Sequence, residues 1–233
     1  MKRIFVGTMF CGEGDLQQCL SAIHNQIDVD VEHMLISNLP EKEAHNRLWD
    51  AWRKRQNQFD LFVKIDADTV LRSSNVLRTV CNLMEANSNV TGIQAPLHDY
   101  FTDSHIMGLN CFRNNVIFQD TQSELYCDRG VDVGHNVVLR TNLPEELSPA
   151  ALHCHYASEQ QAFHFGLHRQ LKNQNDIIAK VKKAYDKNHD KLRGLVLHGA
   201  NRANRLRTTF NYTDIEFLAE FNDVVSNYDS LHL

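Results

Sequence analysis

Two carboxylates separated by a single residue follow an apolar stretch of this chain. Residues 59–65 predict a buried strand, and Asp66 and Asp68 come directly after it. In an open α/β sheet, ligands bind outside the carboxyl ends of the strands, and Asp side chains there can hold Mg²⁺ or Mn²⁺ while the metal carries substrate phosphates. A D-x-D tripeptide arises easily by chance, so the preceding strand gives this one its weight. We predict that Asp68 binds the metal directly and that Asp66 bridges to the metal or to a ribose.

Composition excludes several classes of protein. With 233 residues, 42% of them hydrophobic, the chain can bury a full core, and we expect one domain spanning residues 1–233. A net charge of −5 disfavours extended nucleic-acid binding. The six cysteines form no C-x-x-C pair, and the start runs into a strand rather than a signal peptide, so we expect a cytoplasmic protein. No apolar run reaches the roughly 20 residues of a spanning helix, so we expect at most peripheral membrane contact.

Strand and helix patterns alternate along the first hundred residues, which predicts an α/β fold. Beyond Pro96 the pattern loosens, and we expect mixed or antiparallel sheet with long loops. The predicted strands are residues 4–8, 31–37, 59–66, 90–96, 107–112, 116–118, 137–140 and 195–197. Helices are predicted to begin near Asp15, before Leu48, at Ser73 or Ser74, and to span about 158–172, 176–188 and 213–226.

The first hundred residues resemble the N-terminal half of a GT-A-fold glycosyltransferase and are most similar to family 2. Four segments carry the resemblance: Gly7-Thr8-Met9-Phe10-Cys11-Gly12-Glu13, Ser37-Asn38, Ala44-His45-Asn46 and Val63-Lys64-Ile65-Asp66-Ala67-Asp68. It implies a GT-A-like mixed, mainly parallel central sheet flanked by helices. Residues 1–100 would then bind the nucleotide sugar, and residues 101–233 would bind the acceptor and catalyse transfer. One departure is Asn38, because the family usually has an Asp there to read the base.

The same resemblance implies an activity. A nucleotide-diphosphate sugar would be the donor, Mn²⁺ or Mg²⁺ would sit at the D-x-D motif, and the sugar would pass to a hydroxyl of a saccharide or glycolipid acceptor, as in polysaccharide or glycolipid synthesis. Charge develops on the diphosphate as the glycosidic bond breaks, so cations are needed there. The residues expected to bind the nucleotide sugar are Thr8, Met9, Glu13, Asn38, Asn46, Asp66 and Arg202.

Two further predictions concern the C-terminal part. His198 follows the predicted strand 195–197, and in metal-dependent members of this fold a His at such a strand end completes the metal shell; a turn histidine is the alternative. Arg202, Arg205 and Arg207 could close over the diphosphate through bidentate contacts, although a solvated basic stretch would look the same.

Glu159 is the predicted general base for the acceptor hydroxyl. Ser158 and Gln161 fit an S-x-x-Q capping box, which places Glu159 in a first helical turn. Phe163 and Leu167 continue at helical spacing, so we expect Glu159 to point along the buried side. Direct transfer with this base would invert the anomeric centre. A Glu that only complements the helix dipole is the alternative.

Three other classes of protein are alternatives to the glycosyltransferase interpretation. A zinc hydrolase could use His164 and His168 with His153 or His155, next to Cys154, although no H-E-x-x-H is present and the same residues could instead contact an acceptor sugar. The segment from Asp66 to Leu71 also fits the D-x-D-x-V-L motif of haloacid-dehalogenase-like phosphatases, in which the first Asp is the nucleophile. That motif usually lies on the first strand and is completed by a later Gly-Asp or Asp-Asp pair, which this chain lacks. A non-catalytic GT-A-like binding protein is the third alternative.

Overall fold

The computed structural model describes residues 1–128, 137–206 and 212–231. The strands are β1 (Lys2–Phe10), β2 (Val29–Ser37), β3 (Leu61–Lys64), β4 (Thr69–Leu71), β5 (Gly92–Asp99), β6 (Ser104–Arg113), β7 (Val138–Leu139) and β8 (Ala151–His153). The helices are α1 (Leu16–His24), α2 (Glu41–Arg55), α3 (Val76–Ala86), α4 (Glu159–Leu171), α5 (Asn175–Asn188), α6 (Lys191–Arg202) and α7 (Ile215–Asn227). No helix of this described part is long and apolar enough to cross a membrane.

All eight strands belong to one sheet, in the order β2-β1-β3-β6-β5-β8-β4, with β7 beside β5. The neighbours β2, β1 and β3 run parallel, as do β5 and β8. Strand β6 lies antiparallel between β3 and β5, and β4 is antiparallel to β8. The predicted α/β class, with a mixed and mainly parallel central sheet flanked by helices, is confirmed.

Strand β1 shows why helices cover both faces of the sheet. Successive side chains of a strand point to opposite faces. Ile4 and Val6 therefore join a core that contains residues of α1 and α3, whereas Phe5 joins an aromatic core on the other face with Trp49 and Trp52 of α2. Because both faces are covered, the strand is a continuous apolar run rather than an alternating one.

The predicted strand at residues 195–197 is wrong, because these residues lie in α6. Asp190 caps the helix by accepting the main-chain N–H of Arg193 at 3.0 Å. Helices α4 and α6 cross very closely: a Cβ on Gly199 would lie 2.0 Å from the Phe163 carbonyl oxygen, and one on Gly166 would lie 1.8 Å from that of Val196. Residues 193–200 are all buried, so the apolar run lacks the exposed face that marks most helices.

Other elements also differ from the prediction. Helix α3 begins at Val76, later than predicted, and residues 116–118 form no regular strand. Strands β4 and β8 were not predicted, because three residues are too few for a periodic signal. Their antiparallel pairing places Thr69 opposite His153, which brings the D-x-D segment beside β8.

Candidate metal and nucleotide site

Asp66 and Asp68 lie in the turn between β3 and β4, as a strand-end motif requires, but their environments differ. Lys64, almost completely buried, donates to both carboxylate oxygens of Asp66 at 2.6 and 2.7 Å. The side chain of Asp66 is 46% exposed, so it retains a face toward solvent. Asp68 is much less exposed and lies against β8. Asp66 is therefore paired with the ammonium group of Lys64, while Asp68 is available as a metal ligand.

Asp68, His153 and Asp99 form a connected chain of buried polar groups. His153 Nε2 lies 3.4 Å from Asp68 Oδ2, and His153 Nδ1 lies 2.7 Å from Asp99 Oδ1. Asp99 is fully buried and also accepts hydrogen bonds from the Thr102 main chain and hydroxyl at 2.8 and 2.7 Å. A carboxylate bound to one ring nitrogen orients a His so that the other nitrogen faces a metal. This arrangement directs His153 Nε2 at Asp68.

The pKa values of these groups are tied together by the same contacts. Burial opposes ionisation of Asp68, but the charge of the adjacent His153 outweighs it and holds the pKa of the carboxyl well below its usual range. Burial would lower the pKa of His153, yet the adjacent Cys154 and the carboxylates of Asp68 and Asp99 raise it well above its ordinary value. A cation bound at His153 Nε2 would take the place of a proton on that nitrogen.

The loop after β1 contributes acidic groups beside this chain. Asp15 is fully buried; its Oδ1 accepts the Tyr156 main-chain N–H at 2.8 Å, and Oδ2 has no hydrogen-bond partner among the described residues. Burial raises the pKa of Asp15 to about 6, and the nearby Asp68 adds to that rise. Glu13 accepts the N–H groups of Cys11 and Gly12 at 2.8 and 3.2 Å. Burial raises its pKa as well. Acidic side chains thus crowd around Asp68, and a cation bound there would relieve their mutual repulsion.

Most of these side chains line one cavity of about 230 Å³ at the carboxyl ends of β1 and β3. Its titratable lining comprises Cys11, Glu13, Glu41, His45, Lys64, Asp66, Asp68, Asp128, His153, Cys154, His164, His168, Arg169, Lys172 and Tyr212. Its other lining residues are Met9, Phe10, Leu39, Ala44, Gln161 and Phe165. Four residues of the predicted site, Met9, Glu13, Asp66 and Asp68, are brought together here.

Three other predicted nucleotide-binding residues have different contacts, and this cavity does not include them. Thr8 is buried with its hydroxyl 3.0 Å from His33 of β2. Asn38 is exposed, with a left-handed backbone (φ 58°) at the end of β2. Asn46 accepts the Thr121 main-chain N–H at 2.7 Å and donates to the Thr121 carbonyl at 3.2 Å. Asn46 therefore anchors a loop of the C-terminal half to α2.

The predicted C-terminal site residues His198 and Arg202 lie outside the cavity that contains the D-x-D segment. His198 is buried in α6 with its ring 5.5 Å from that of Tyr228, so the strand end that suggested a metal ligand does not exist. Arg202 bonds Glu220 and Asp223 of α7 at 2.8 and 2.7 Å. Neither residue lines the cavity. Arg205 pairs with Glu220 at 3.6 Å, and Arg207 lies outside the described residues.

Helix α4 begins at Glu159 with Ser158 as its cap, as predicted, and the Ser158 hydroxyl accepts the Gln161 N–H at 3.1 Å. The expectation that Glu159 points along the buried side is wrong. Its side chain is 39% exposed and binds Lys191 at 2.6 Å. Gln161, two residues later, is the buried polar residue: it donates to Cys154 Sγ at 3.4 Å and accepts the Gly14 N–H at 3.1 Å.

Sequence reasoning missed Lys64, Asp15, Asp99 and Gln161, and named His153 only as a zinc ligand or an acceptor contact. A Lys two residues before the D-x-D motif was the available signal for Lys64, because adjacent charges at a strand end reach one another. The remaining residues depend on contacts between distant segments. His155, grouped with His153 in the sequence, instead packs beside His98 and Tyr100.

No protein-family model matches this chain, and no curated protein does. Among solved structures it is similar to A197 from STIV, with 13% identity and a TM-score of 0.35 over 48% of this chain; it spans 65% of A197. It is also similar to the mannosyltransferase PcManGT from Pyrobaculum calidifontis in complex with GDP-Man and Mn²⁺, at 11% identity and TM-score 0.38, covering 100% of this chain and 76% of that one. A cytidylyltransferase from Leptospira borgpetersenii is similar at 11% identity and a TM-score of 0.38, and the match covers 80% of this chain and 96% of that one. At such low similarity, the function of this chain rests on its own residues.

Proposed function

We propose that this protein is a metal-dependent glycosyltransferase that moves a sugar from a nucleotide-diphosphate donor to an acceptor hydroxyl. The observation that carries the proposal is the chain from Asp68 through His153 to Asp99 at the carboxyl end of a parallel strand. The resemblance of the D-x-D segment to family 2 GT-A glycosyltransferases points in the same direction. A saccharide or glycolipid is the acceptor class that this resemblance implies.

The ligand atoms of Asp68, His153 and Cys154 lie within 4.8 Å of one another. Carboxylate and imidazole together suit Mn²⁺ better than Mg²⁺, which prefers oxygen ligands and keeps several waters. Cys154 lies beside these two ligands, and burial raises the pKa of its thiol far above the ordinary value. Asp68 and His153 would hold the ion, which would stabilise charge on the departing diphosphate.

The chain's own residues supply the rest of the donor site. Lys64 holds Asp66 by two short hydrogen bonds, and its charge can also reach a phosphate oxygen near that carboxylate. Met9 and Phe165 provide apolar surface in the same cavity. Apolar surface beside convergent charges is typical of small-ligand sites.

The proposal is tested by thermal shift with nucleoside diphosphates and nucleotide sugars, with and without Mn²⁺. A ligand at 100 times its dissociation constant adds about 2.7 kcal/mol of stability. We expect a Mn²⁺-dependent shift in the native protein and none in Asp68→Asn, which keeps the side-chain shape. Asp120→Asn is the matched control, because Asp120 is exposed and pairs with Arg53 on the surface.

An equal Mn²⁺-dependent shift in the native protein and in Asp68→Asn would overturn the metal assignment. Sugar transfer itself is tested by incubating the protein with each nucleotide sugar that binds and a panel of saccharides and glycolipids. Release of nucleoside diphosphate that depends on both Mn²⁺ and acceptor is the expected result. Trapping of Asp66 by beryllium fluoride would instead favour the phosphatase class.

A further inference from the structure

A second group of metal-binding side chains lies apart from Asp68 and His153, on α2 and the loop that covers it. Glu41 and His45 are one helical turn apart, and Cys127 approaches them from the segment before residue 128. The three ligand atoms lie within 4.8 Å of one another. His168 of α4 lies beside this group, with Nε2 3.7 Å from Glu41 Oε2.

In both histidines Nε2 is the buried nitrogen that has no hydrogen-bond partner among the described residues. His45 Nδ1 donates to the Glu41 carbonyl oxygen at 2.8 Å, and His45 Nε2 is buried without a hydrogen-bond partner in the described part of the chain. His168 bonds the main chain of Leu125, and its Nε2 is likewise buried and unpartnered among those residues. In each ring Nδ1 is therefore the donor, so the Nε2 lone pair is free to bind a cation.

An unpartnered buried nitrogen is costly, and here two of them belong to residues beside the Glu41 carboxylate. His45 is 3% exposed and Cys127 is fully buried. A buried imidazole whose Nε2 has no hydrogen-bond partner is suited to binding a metal through that atom.

The donor set and spacing indicate the kind of ion. In a tetrahedral zinc site, ligand atoms about 2.0–2.3 Å from the metal lie roughly 3.3–3.6 Å from one another. The 3.7 Å separation of Glu41 and His168 is close to that value. Two imidazoles, a thiolate and a carboxylate suit Zn²⁺, whereas Mn²⁺ and Mg²⁺ prefer oxygen. Lys64 and Lys172 are near and oppose a cation, while Asp128 offsets them.

We propose that Glu41, His45, Cys127 and His168 form a zinc site distinct from the metal site at Asp68 and His153. Binding forms a bond between Zn²⁺ and the Cys127 sulfur and releases the thiol proton to solvent. Cys127 now donates weakly to the carbonyl oxygens of Ser123 and Glu124 at 3.1 and 3.4 Å, and these bonds are exchanged for the metal. The ion would tie α2, α4 and this loop together along one wall of the cavity.

Cobalt substitution tests the site in the full chain after metal is stripped with a chelator. Co²⁺ bound by a thiolate gives a sulfur-to-metal charge-transfer band in the near ultraviolet. We expect one equivalent of Co²⁺ to produce this band in the native protein and Zn²⁺ to displace it. Cys127→Ser should abolish the band, while Cys154→Ser should keep it, because that cysteine belongs to the other group. Cys81→Ser is the matched control, since Cys81 is buried in α3.

His168→Gln provides a second variant that leaves the thiol in place. Loss of one ligand should weaken Zn²⁺ at least about tenfold, the smallest loss typical of removing even an outer partner. Zinc affinity is measured by competition with a chelating dye, and circular dichroism confirms the fold. A charge-transfer band that survives in folded Cys127→Ser, or an unchanged Zn²⁺ affinity in His168→Gln, would overturn the proposal. Mn²⁺-dependent nucleotide binding is a separate measurement, so the two proposals fail independently.

Discussion

Asp99→Asn is the sharpest perturbation of the proposed metal site, because Asp99 touches the ligand His153 and has no place in the cavity lining. Asp99 Oδ1 accepts from His153, and Oδ2 accepts two hydrogen bonds from Thr102. An amide has only one acceptor oxygen, so in Asn an NH₂ group must face a donor. Either the imidazole or Thr102 loses its partner.

The consequence for metal binding can be estimated. Removing a carboxylate that orients a metal-binding His typically costs 10- to 100-fold in affinity, or about 1.4–2.7 kcal/mol. We therefore expect Asp99→Asn to weaken Mn²⁺ by that factor, measured by calorimetry in the presence of nucleoside diphosphate. Stability should also fall, because a hydrogen bond to a charged group contributes about 1.5–3 kcal/mol.

Asp60→Asn is a suitable control, since Asp60 also accepts main-chain and side-chain hydrogen bonds, from Arg3 and Lys2, but is partly exposed. It should leave Mn²⁺ affinity unchanged. Equal Mn²⁺ affinity in folded Asp99→Asn and the native protein would refute the reasoning, because His153 would then need no carboxylate to face the ion.

Three further predictions follow from single contacts of the structure. Burial raises the pKa of Asp15 to about 6, above an ordinary value of about 3.9. The contribution of the protonated carboxyl to the free energy of unfolding is therefore fully present below about pH 4 and is lost as the pH rises through 6. Asp15→Asn should raise the free energy of unfolding, measured in urea, by about 1–3 kcal/mol at pH 8 and should leave it nearly unchanged at pH 4. An equal gain at both pH values would contradict this prediction. Lys64→Met removes the cation that holds Asp66. Nucleoside-diphosphate affinity, measured by calorimetry, should then fall about 10- to 100-fold, since charged hydrogen bonds contribute about 1.5–3 kcal/mol. An unchanged affinity would show that Lys64 acts only in folding. Glu159→Gln loses a surface pair with Lys191, so the free energy of unfolding should change by less than about 1 kcal/mol and turnover should stay near native. A loss of turnover of about 10²-fold or more would instead support Glu159 as the general base.

Local patterns predicted much of the fold. The apolar runs at β1, β2 and β3 and the helical spacing between them give parallel units, because both faces of each strand must be covered. Ser158 starts α4 since a cap acts through its own turn, and Asp66 and Asp68 lie at a strand end because the motif directly follows the strand. The predicted strand at 195–197 failed for the opposite reason. Burial on all sides of α6 removed the periodicity that separates helix from strand.

The composition of the site was decided by tertiary structure. His153 meets Asp68 only because the short strands β4 and β8 pair, and Asp99 reaches His153 because β5 runs parallel to β8. Glu159 pairs with the exposed Lys191 at the start of α6, whereas Gln161 is buried because Cys154 and Gly14 pack against it. Such contacts join segments that are distant in sequence, and no local propensity encodes them. The sequence alone determined that carboxylates stand at the end of a buried strand, and the packing of later segments determined which residues face them.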